Sequence, residues 1–248
     1  MSLLWRNKQT RIGLAPDRIY VSGVAKNVEL APNDGTWQAA IAALPEVLKG
    51  MKGDAAVVLA DQFVRYTLLP WNESLKRAEQ WQALAQHRFG ALHGPRAADW
   101  DVKVCDTAPM GPRLACAVDR ELIQGLASLF VRVNVRLVSV QPFLVAAFNR
   151  IRRRVGNGSS WIVVEEPGRL TLALIRRGAW TGIRGRRADR SWRNALPELL
   201  ERESAFLGLN EPVTRVIVCA QGEIELEMHD DAWRAEALAY RELALAVE

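Results

Sequence analysis

The sequence predicts an α/β protein of two lobes, and three observations predict it. The order hairpin of strands, helix, buried strand occurs twice, once from Ile12 to Ala60 and again from Trp161 to Ala220. The run Gly156-Asn157-Gly158-Ser159-Ser160 separates the two occurrences and has the small, polar composition of a linker. Residues 62–130 read as an inserted block of strand, helix, two strands and helix. The expected boundaries are a first lobe over 1–155 that includes the insert, a linker at 156–160, and a second lobe over 161–248. At 248 residues and 49% hydrophobic, the chain can bury the cores this plan needs.

Each element has a local reason. Ile12–Leu14 and Arg18–Val24 read as strands joined by a tight turn at Ala15-Pro16-Asp17. Asn33-Asp34-Gly35 is a turn, and Thr36 can cap a helix with Trp37, Ile41, Leu44 and Leu48 on one face. Pro45 inside that pattern predicts a kink or a split. Ala55–Ala60 is an apolar run of the kind buried on both faces. Asp61-Gln62 breaks it, Phe63–Leu69 is β-rich, and Pro70 ends the second strand because it cannot donate to a ladder. Asn72 or Ser74 can then cap a helix to Leu92, with Leu75, Ala78, Ala85, Phe89 and Leu92 on one face and Trp81 and Leu84 beside it.

Trp100–Cys105 and Arg113–Val118 read as strands around a Pro109–Pro112 turn. Asp119 caps a helix whose apolar face is Leu122, Ile123, Leu126, Leu129 and Phe130. Val131–Val140 alternates like a half-buried strand, and Gln141-Pro142 opens a helix with proline at its first position. Beyond the linker, Trp161–Val164, Leu170–Ile175 and Trp180–Ile183 are strands, 194–208 is helical, and Val213–Ala220 is a buried strand. From Gly222 the pattern is a strand or loop and then a short alanine-rich helix.

Charge and cysteine usage narrow the function. The net charge is +5, with a pI near 9.4. Arg150, Arg152, Arg153 and Arg154 form one cluster; Arg176, Arg177, Arg184, Arg186, Arg187, Arg190 and Arg193 form a second, against Asp189. Such asymmetry points to an acidic partner, nucleic acid or anionic lipid, or else to a solvated basic face. Trp180 and Trp192 interleave with the second cluster, which suits single-stranded nucleic acid or an anionic membrane surface. No nucleic-acid-binding motif accompanies the charge, so a membrane-proximal partner ranks above nucleic acid. Cys105, Cys116 and Cys219 read as free thiols, and with His87, His93 and His229 they share no ligand spacing, so no metal is expected. No window approaches the about 18–20 apolar residues of a membrane span, and the N-terminus lacks the apolar core of a signal peptide. A cytoplasmic location is expected.

The chain has no phosphate loop of the G-x-x-x-x-G-K-[ST] type, no G-x-S-x-G elbow, no H-E-x-x-H and no pair of C-x-x-C. Val57–Leu75, with Trp81–Phe89 and Ala115–Leu126 (Ala-Cys-Ala-Val-Asp-Arg-Glu-Leu-Ile-Gln-Gly-Leu), resembles PilM, MshI and the cytoplasmic half of GspL from type IV pilus and type II secretion platforms. The resemblance is clearest over residues 50–150. It implies an actin-like (ASKHA, RNase H-like) two-lobed fold with an inserted subdomain of the FtsA/PilM type and a reduced second lobe. It also implies a cytoplasmic scaffold, peripheral at the inner membrane, that docks the short cytoplasmic tail of a PilN-like single-span protein. An assembly ATPase is a further implied partner. Since no span precedes Glu248, such a scaffold needs a separate membrane partner, unlike GspL.

The same resemblance identifies three nucleotide loops, and all three depart from the family pattern. Where relatives read Gly-Ile-Asp-Ile-Gly, this chain reads Gly13-Leu14-Ala15-Pro16-Asp17; the aspartate is lost, Pro16 lacks an N–H, and Asp17 is out of register by two. Val-Asp-Ile-Gly becomes Val164-Glu165-Glu166-Pro167-Gly168, where Glu165 keeps a carboxylate and Glu166 adds a like charge where phosphate should sit. The adenosine loop keeps only Gly222 of Val218-Cys219-Ala220-Gln221-Gly222. No catalysis and no cofactor are therefore expected, with Gly13, Asp17, Glu165, Gly168 and Gly222 as remnants of a nucleotide site. Trp71, with Tyr66 on the preceding strand, is the candidate partner-binding pair; the other reading of Trp71 is a core or rim aromatic. Two alternatives stand: an ATP-binding, Mg-dependent actin-like protein with drifted loops, and a basic nucleic-acid-binding module.

Overall fold

The computed structural model describes residues 9–21, 26–105, 110–189, 191–221 and 233–240. Two five-stranded mixed sheets carry the chain. In the first, β1 (Thr10–Leu14), β2 (Arg18–Val21) and β3 (Lys26–Glu29) make an antiparallel meander, and β4 (Asp54–Leu59) and β8 (Arg136–Pro142) add parallel strands in the order β3-β2-β1-β4-β8. In the second, β9 (Ser159–Glu166), β10 (Arg169–Arg176) and β11 (Ala179–Arg187) make the meander. There β12 (Arg215–Gln221) and β13 (Arg234–Tyr240) add the parallel strands, in the order β11-β10-β9-β12-β13. The two sheets thus repeat one topology. Between them α4 (Phe143–Val155) buries Phe143, Leu144, Ala147, Ile151 and Val155 in a core shared by both sheets.

The insert is a three-stranded antiparallel sheet, β5 (Val64–Leu69), β7 (Arg113–Asp119) and β6 (Trp100–Val104), in the order β5-β7-β6. Helix α2 (Ala78–His93) covers one face with Trp81, Ala85 and Phe89, spaced four residues apart, over Leu69, Val102, Ala115 and Ala117. Helix α3 (Arg120–Arg132) joins the main core through Leu122, Leu126, Leu129 and Phe130, and Asp119 caps it by accepting from the Glu121 N–H at 3.1 Å.

Several sequence expectations are corrected. Helix α1 (Gln38–Leu48) runs through Pro45 without splitting, and Thr36 makes no cap to it. Helix α2 starts at Ala78, not Ser74; Asn72 instead accepts from Ser74 N–H in a turn, and Gln80 accepts from the Lys76 and Arg77 N–H groups. Its buried stripe excludes Ala78 and Leu92, because the helix turns Trp81 inward. Val131 and Arg132 end α3 before β8 begins. Pro142 caps α4 from outside rather than occupying its first turn. Ser159 and Ser160 belong to β9, with Ser160 fully buried, so the flexible-looking run is a three-residue turn and a strand start. Ala235, Ala237 and Ala239 lie in β13, where the parallel edge of β12 offers ladder bonds that outweigh alanine's helix propensity; the rest of the stretch expected to end in a short alanine-rich helix lies outside the described residues. Among the described residues the second sheet has as many strands as the first, and its helical cover is α5 (Leu196–Phe206), through Leu196 and Leu200.

Candidate functional site

Parallel strands point their C-terminal ends at the crevice where α/β sheets bind ligands. Here β4 and β9 deliver Asp61 and Glu166 to that crevice, and both carboxyls are buried. The Asp61 N–H donates to both Glu166 carboxyl oxygens, at 3.1 and 3.0 Å, which ties the end of the first sheet to the end of the second. Asp61 Oδ1 accepts from the Tyr66 hydroxyl at 2.5 Å and from the Leu144 N–H at 3.0 Å, near the N-terminus of α4, where the helix dipole favours negative charge. Burial nevertheless dominates: it pushes the Asp61 carboxyl above the ordinary range, with Tyr66, Leu144, Thr171 and Arg169 opposing. Burial, then the Asp61 charge, pushes Glu166 well above its usual value. Thr171, fully buried, sits beside Asp61 and lowers its pKa by a side-chain hydrogen bond. Both carboxyls are still pushed toward the protonated form by burial and by their mutual charge.

The sequence-predicted loop residues fall around this pair without forming a phosphate cradle. Gly13 lies inside β1, paired with Tyr20 on one side and Val58 on the other, so its backbone belongs to the sheet and not to a loop. The Asp17 carboxylate is bound to Arg18 at 2.7 Å. Gly168 has φ +76° after Pro167 in the two-residue turn between β9 and β10, a conformation that suits glycine. Glu165 and Glu166 point to opposite faces of β9 by strand alternation: Glu165 lines a pocket with Gly168, Asp189, Trp192 and Arg193, while Glu166 turns inward. Gly222 and Arg190 lie outside the described residues. The sequence reading of Asp61 as a mere turn missed its role. Its signal was a charged residue directly after an all-apolar strand.

A second feature lies where the first lobe meets the insert. A groove of 470 Å³ is walled by the loop and helix start at Gly35–Gln38, by Gln62, Phe63 and Arg65, and by Arg96, Asp99, Trp100, Ala117 and Asp119 of the insert. Trp37 and Trp100 face it, and the Trp37 indole N–H donates to Asp119 Oδ2 at 3.1 Å, fixing one wall to the other. The turn at Gly35 (φ +81°) brings its backbone so close to Gln62 that an added Cβ would meet Nε2 at 2.7 Å. The groove therefore carries two aromatics and charges of both signs.

The predicted pair Trp71 and Tyr66 is separated. Trp71, 37% exposed, stacks on Trp81 at 5.8 Å on the outer side of the insert and does not line the groove. Tyr66 belongs to the acid pair. Trp180 and Trp192 are buried, so neither offers a base-stacking surface beside the arginines. Arg184 and Arg186 pair with the buried Glu203, Arg184 also lies over the Phe206 ring at 4.2 Å, and Arg193 lies over Trp192 at 5.6 Å. None of the three cysteines forms a disulfide, no described group of His, Cys, Asp and Glu could hold a metal, and no described helix is long and apolar enough to cross a membrane.

No family model and no curated protein sequence matches the chain. Solved structures do. A Bacteroides thetaiotaomicron VPI-5482 protein of actin-like ATPase fold superposes with a TM-score of 0.55 at 14% identity, covering 87% of this chain and 82% of that one. The fold is actin-like. A chain of the PilM–PilN type IV pilus biogenesis complex matches with a TM-score of 0.61 at 12% identity over 86% of this chain and 81% of that one. The cytoplasmic domain of EpsL, an inner-membrane component of the type II secretion system of Vibrio cholerae, matches with a TM-score of 0.56 at 13% identity over 92% and 88%. At these identities the likeness is one of fold.

Proposed function

We propose that this chain is a non-hydrolysing actin-like adaptor at the cytoplasmic face of a type IV pilus or type II secretion-like inner-membrane platform. It docks the short cytoplasmic tail of a PilN-like membrane protein in the groove between the first lobe and the insert. The observation that carries the reading is that groove: it is preformed, it joins two aromatic walls to Arg65, Arg96, Asp99 and Asp119, and the fold around it is also that of a PilM–PilN complex. An extended peptide suits it, because aromatic anchors and paired charges fix a short segment without a large interface.

The crevice supports an adaptor over an ATPase. Glu166 sets a buried carboxyl group beside the Asp61 N–H, on the hairpin the resemblance assigns to phosphate, and its own hydrogen bonds already join the two sheets. Pro16 and the Arg18-bound Asp17 leave the first hairpin without the donors and free carboxylate of a metal–phosphate site. An assembly ATPase remains a further proposed partner. The competing reading is an ATP-binding protein with drifted loops. Calorimetric titration with MgATP separates the two: no heat at millimolar nucleotide is expected, and micromolar binding overturns the adaptor reading. For docking, a fluorescein-labelled peptide of the PilN-like tail from the same organism should bind the wild type and lose at least about tenfold with Trp100→Ala, as expected of a central aromatic anchor. Unchanged affinity places docking elsewhere.

A further inference from the structure

The arginines that form two clusters in sequence sort differently in space. In the hairpin of β10 and β11, Arg176 pairs with Ala179 and Arg169 with Arg187. Arg176 and Arg177 therefore sit at the closed tip, and Arg184, Arg186 and Arg187 lie toward the open end. Five residues of strand, about 17 Å, separate Arg184 from Ala179 opposite the tip. The tip lies beside the start of β9, since Arg176 pairs with Ser159, and Gly178 approaches the Asn157 side chain. Arg152, Arg153 and Arg154 end α4 immediately before that turn, all exposed. β12 and β13 run parallel to β9, so their first residues, Arg215 and Arg234, arrive at the same end.

Hydrogen bonds weld this end together. Arg215 donates to the Arg154 and Val155 carbonyls at 2.8 and 3.4 Å, and Arg154 pairs with Glu236 at 2.5 Å. Seven arginines thus share a face whose described acidic neighbours include Glu236, paired with Arg154, Glu211 in the loop leading to β12, and Glu201 of α5, which lines a pocket with Thr214 and Trp233. The face spans β10, β9, β12 and β13, three strand spacings or about 14 Å. It lies at the opposite end of β9 from Glu166, about 23 Å away for a strand of this length. Partial charge at a helix C-terminus accounts for some of the α4 arginines, but not for those at the β10–β11 tip or the starts of β12 and β13. Among the described residues, the aromatics at this end are Trp161 and Trp180, both buried, and Trp233, half-buried against the second core. Seven arginine forks beside one half-buried ring match a layer of phosphate oxygens better than a run of unpaired bases.

The geometry points to this end as a docking surface for an anionic bilayer, with Arg152, Arg153, Arg176, Arg177 and Arg234 on acidic phospholipid headgroups and the inter-lobe crevice turned away from the membrane. The surface stands independently of the groove: a chain that bound no tail peptide could still bind lipid, and the reverse.

The test is co-sedimentation of the full chain with vesicles of phosphatidylcholine alone, or with about one-third phosphatidylglycerol, at low and high salt. Binding to the anionic vesicles alone, released by salt, is expected. The variant Arg153→Gln/Arg176→Gln/Arg177→Gln should lose about a hundredfold in partitioning. The variant Lys76→Gln/Arg88→Gln/Lys103→Gln removes the same charge from exposed positions on the insert and should keep nearly all of it. Matching melts and far-ultraviolet spectra establish that both are folded. Absence of binding at low salt, equal binding to neutral vesicles, or equal loss in the two variants overturns the proposal. So does an arginine variant that loses single-stranded oligonucleotide binding while holding its vesicles.

Discussion

Replacing Glu166 with glutamine isolates the buried acid pair. The substitution keeps volume and keeps an acceptor for the Asp61 N–H, but removes one titratable group. In the folded chain the Glu166 carboxyl is held above its ordinary range by burial and by Asp61, whereas in the unfolded chain it ionises near pH 4.3. Above that pH the folded state binds more protons than the unfolded state, so this contribution to stability falls as pH rises, until pH passes the folded-state value. Each proton held gives a slope of about 1.4 kcal/mol per pH unit, or about 4 kcal/mol between pH 5 and 8 while the proton is retained. Tyr20, pushed up to about 12 chiefly by burial, stays neutral over this window, and burial raises Tyr66 as well. The Arg169 charge opposes the upward shift of Glu166, and the Glu165 charge, from the other face of β9, adds to it. Urea denaturation of wild type and variant at several pH values from 5 to 8 reads the effect. The variant should match wild type near pH 5 and be increasingly more stable above it. Parallel stability–pH curves would refute the argument that this carboxyl is protonated between the lobes.

Other expectations come from packing and caps. Gly182→Ala places a Cβ 2.6 Å from Leu207 Cδ1 and 3.2 Å from Leu174 Cβ, and should cost about 1–3 kcal/mol in urea denaturation. Arg186→Met leaves the buried Glu203 carboxylate short of two hydrogen bonds and should cost about 1–3 kcal/mol by the same measurement. Asp119→Ala removes both the α3 cap and the acceptor of the Trp37 indole; it should lower stability by about 1–2 kcal/mol and change Trp37 fluorescence as the groove walls separate.

The fold was legible where local chemistry and long-range packing agree. Asp119 followed by Leu122, Leu126 and Leu129 announced a capped, one-sided helix, and the apolar run at Ala55–Ala60 announced a central strand. Where the two disagree, local pattern misled. Alanines that favour a helix became β13 because β12 offered an open edge, and Gly156–Ser160 looked like a tether although Ser160 enters the sheet. The crevice was half legible: Glu166 was singled out as an excess charge, but its partner is the backbone of Asp61, 105 residues earlier, which no spacing rule connects. The groove was legible only as a boundary. Trp37 and Trp100 line one groove because Asp119, at the end of β7, accepts from the Trp37 indole, while Trp71, nearer the boundary in sequence, stacks on Trp81 away from the groove.

Site-specific photocrosslinking in cells tests the docking proposal most directly. A photoreactive phenylalanine placed at Trp100, at Arg65, and, as a remote reference, at the 71% exposed Phe206 would report what each position touches. The adaptor account predicts that the first two capture the tail of the PilN-like membrane protein and that Phe206 does not. Capture from Phe206 with none from Trp100 or Arg65 would contradict it.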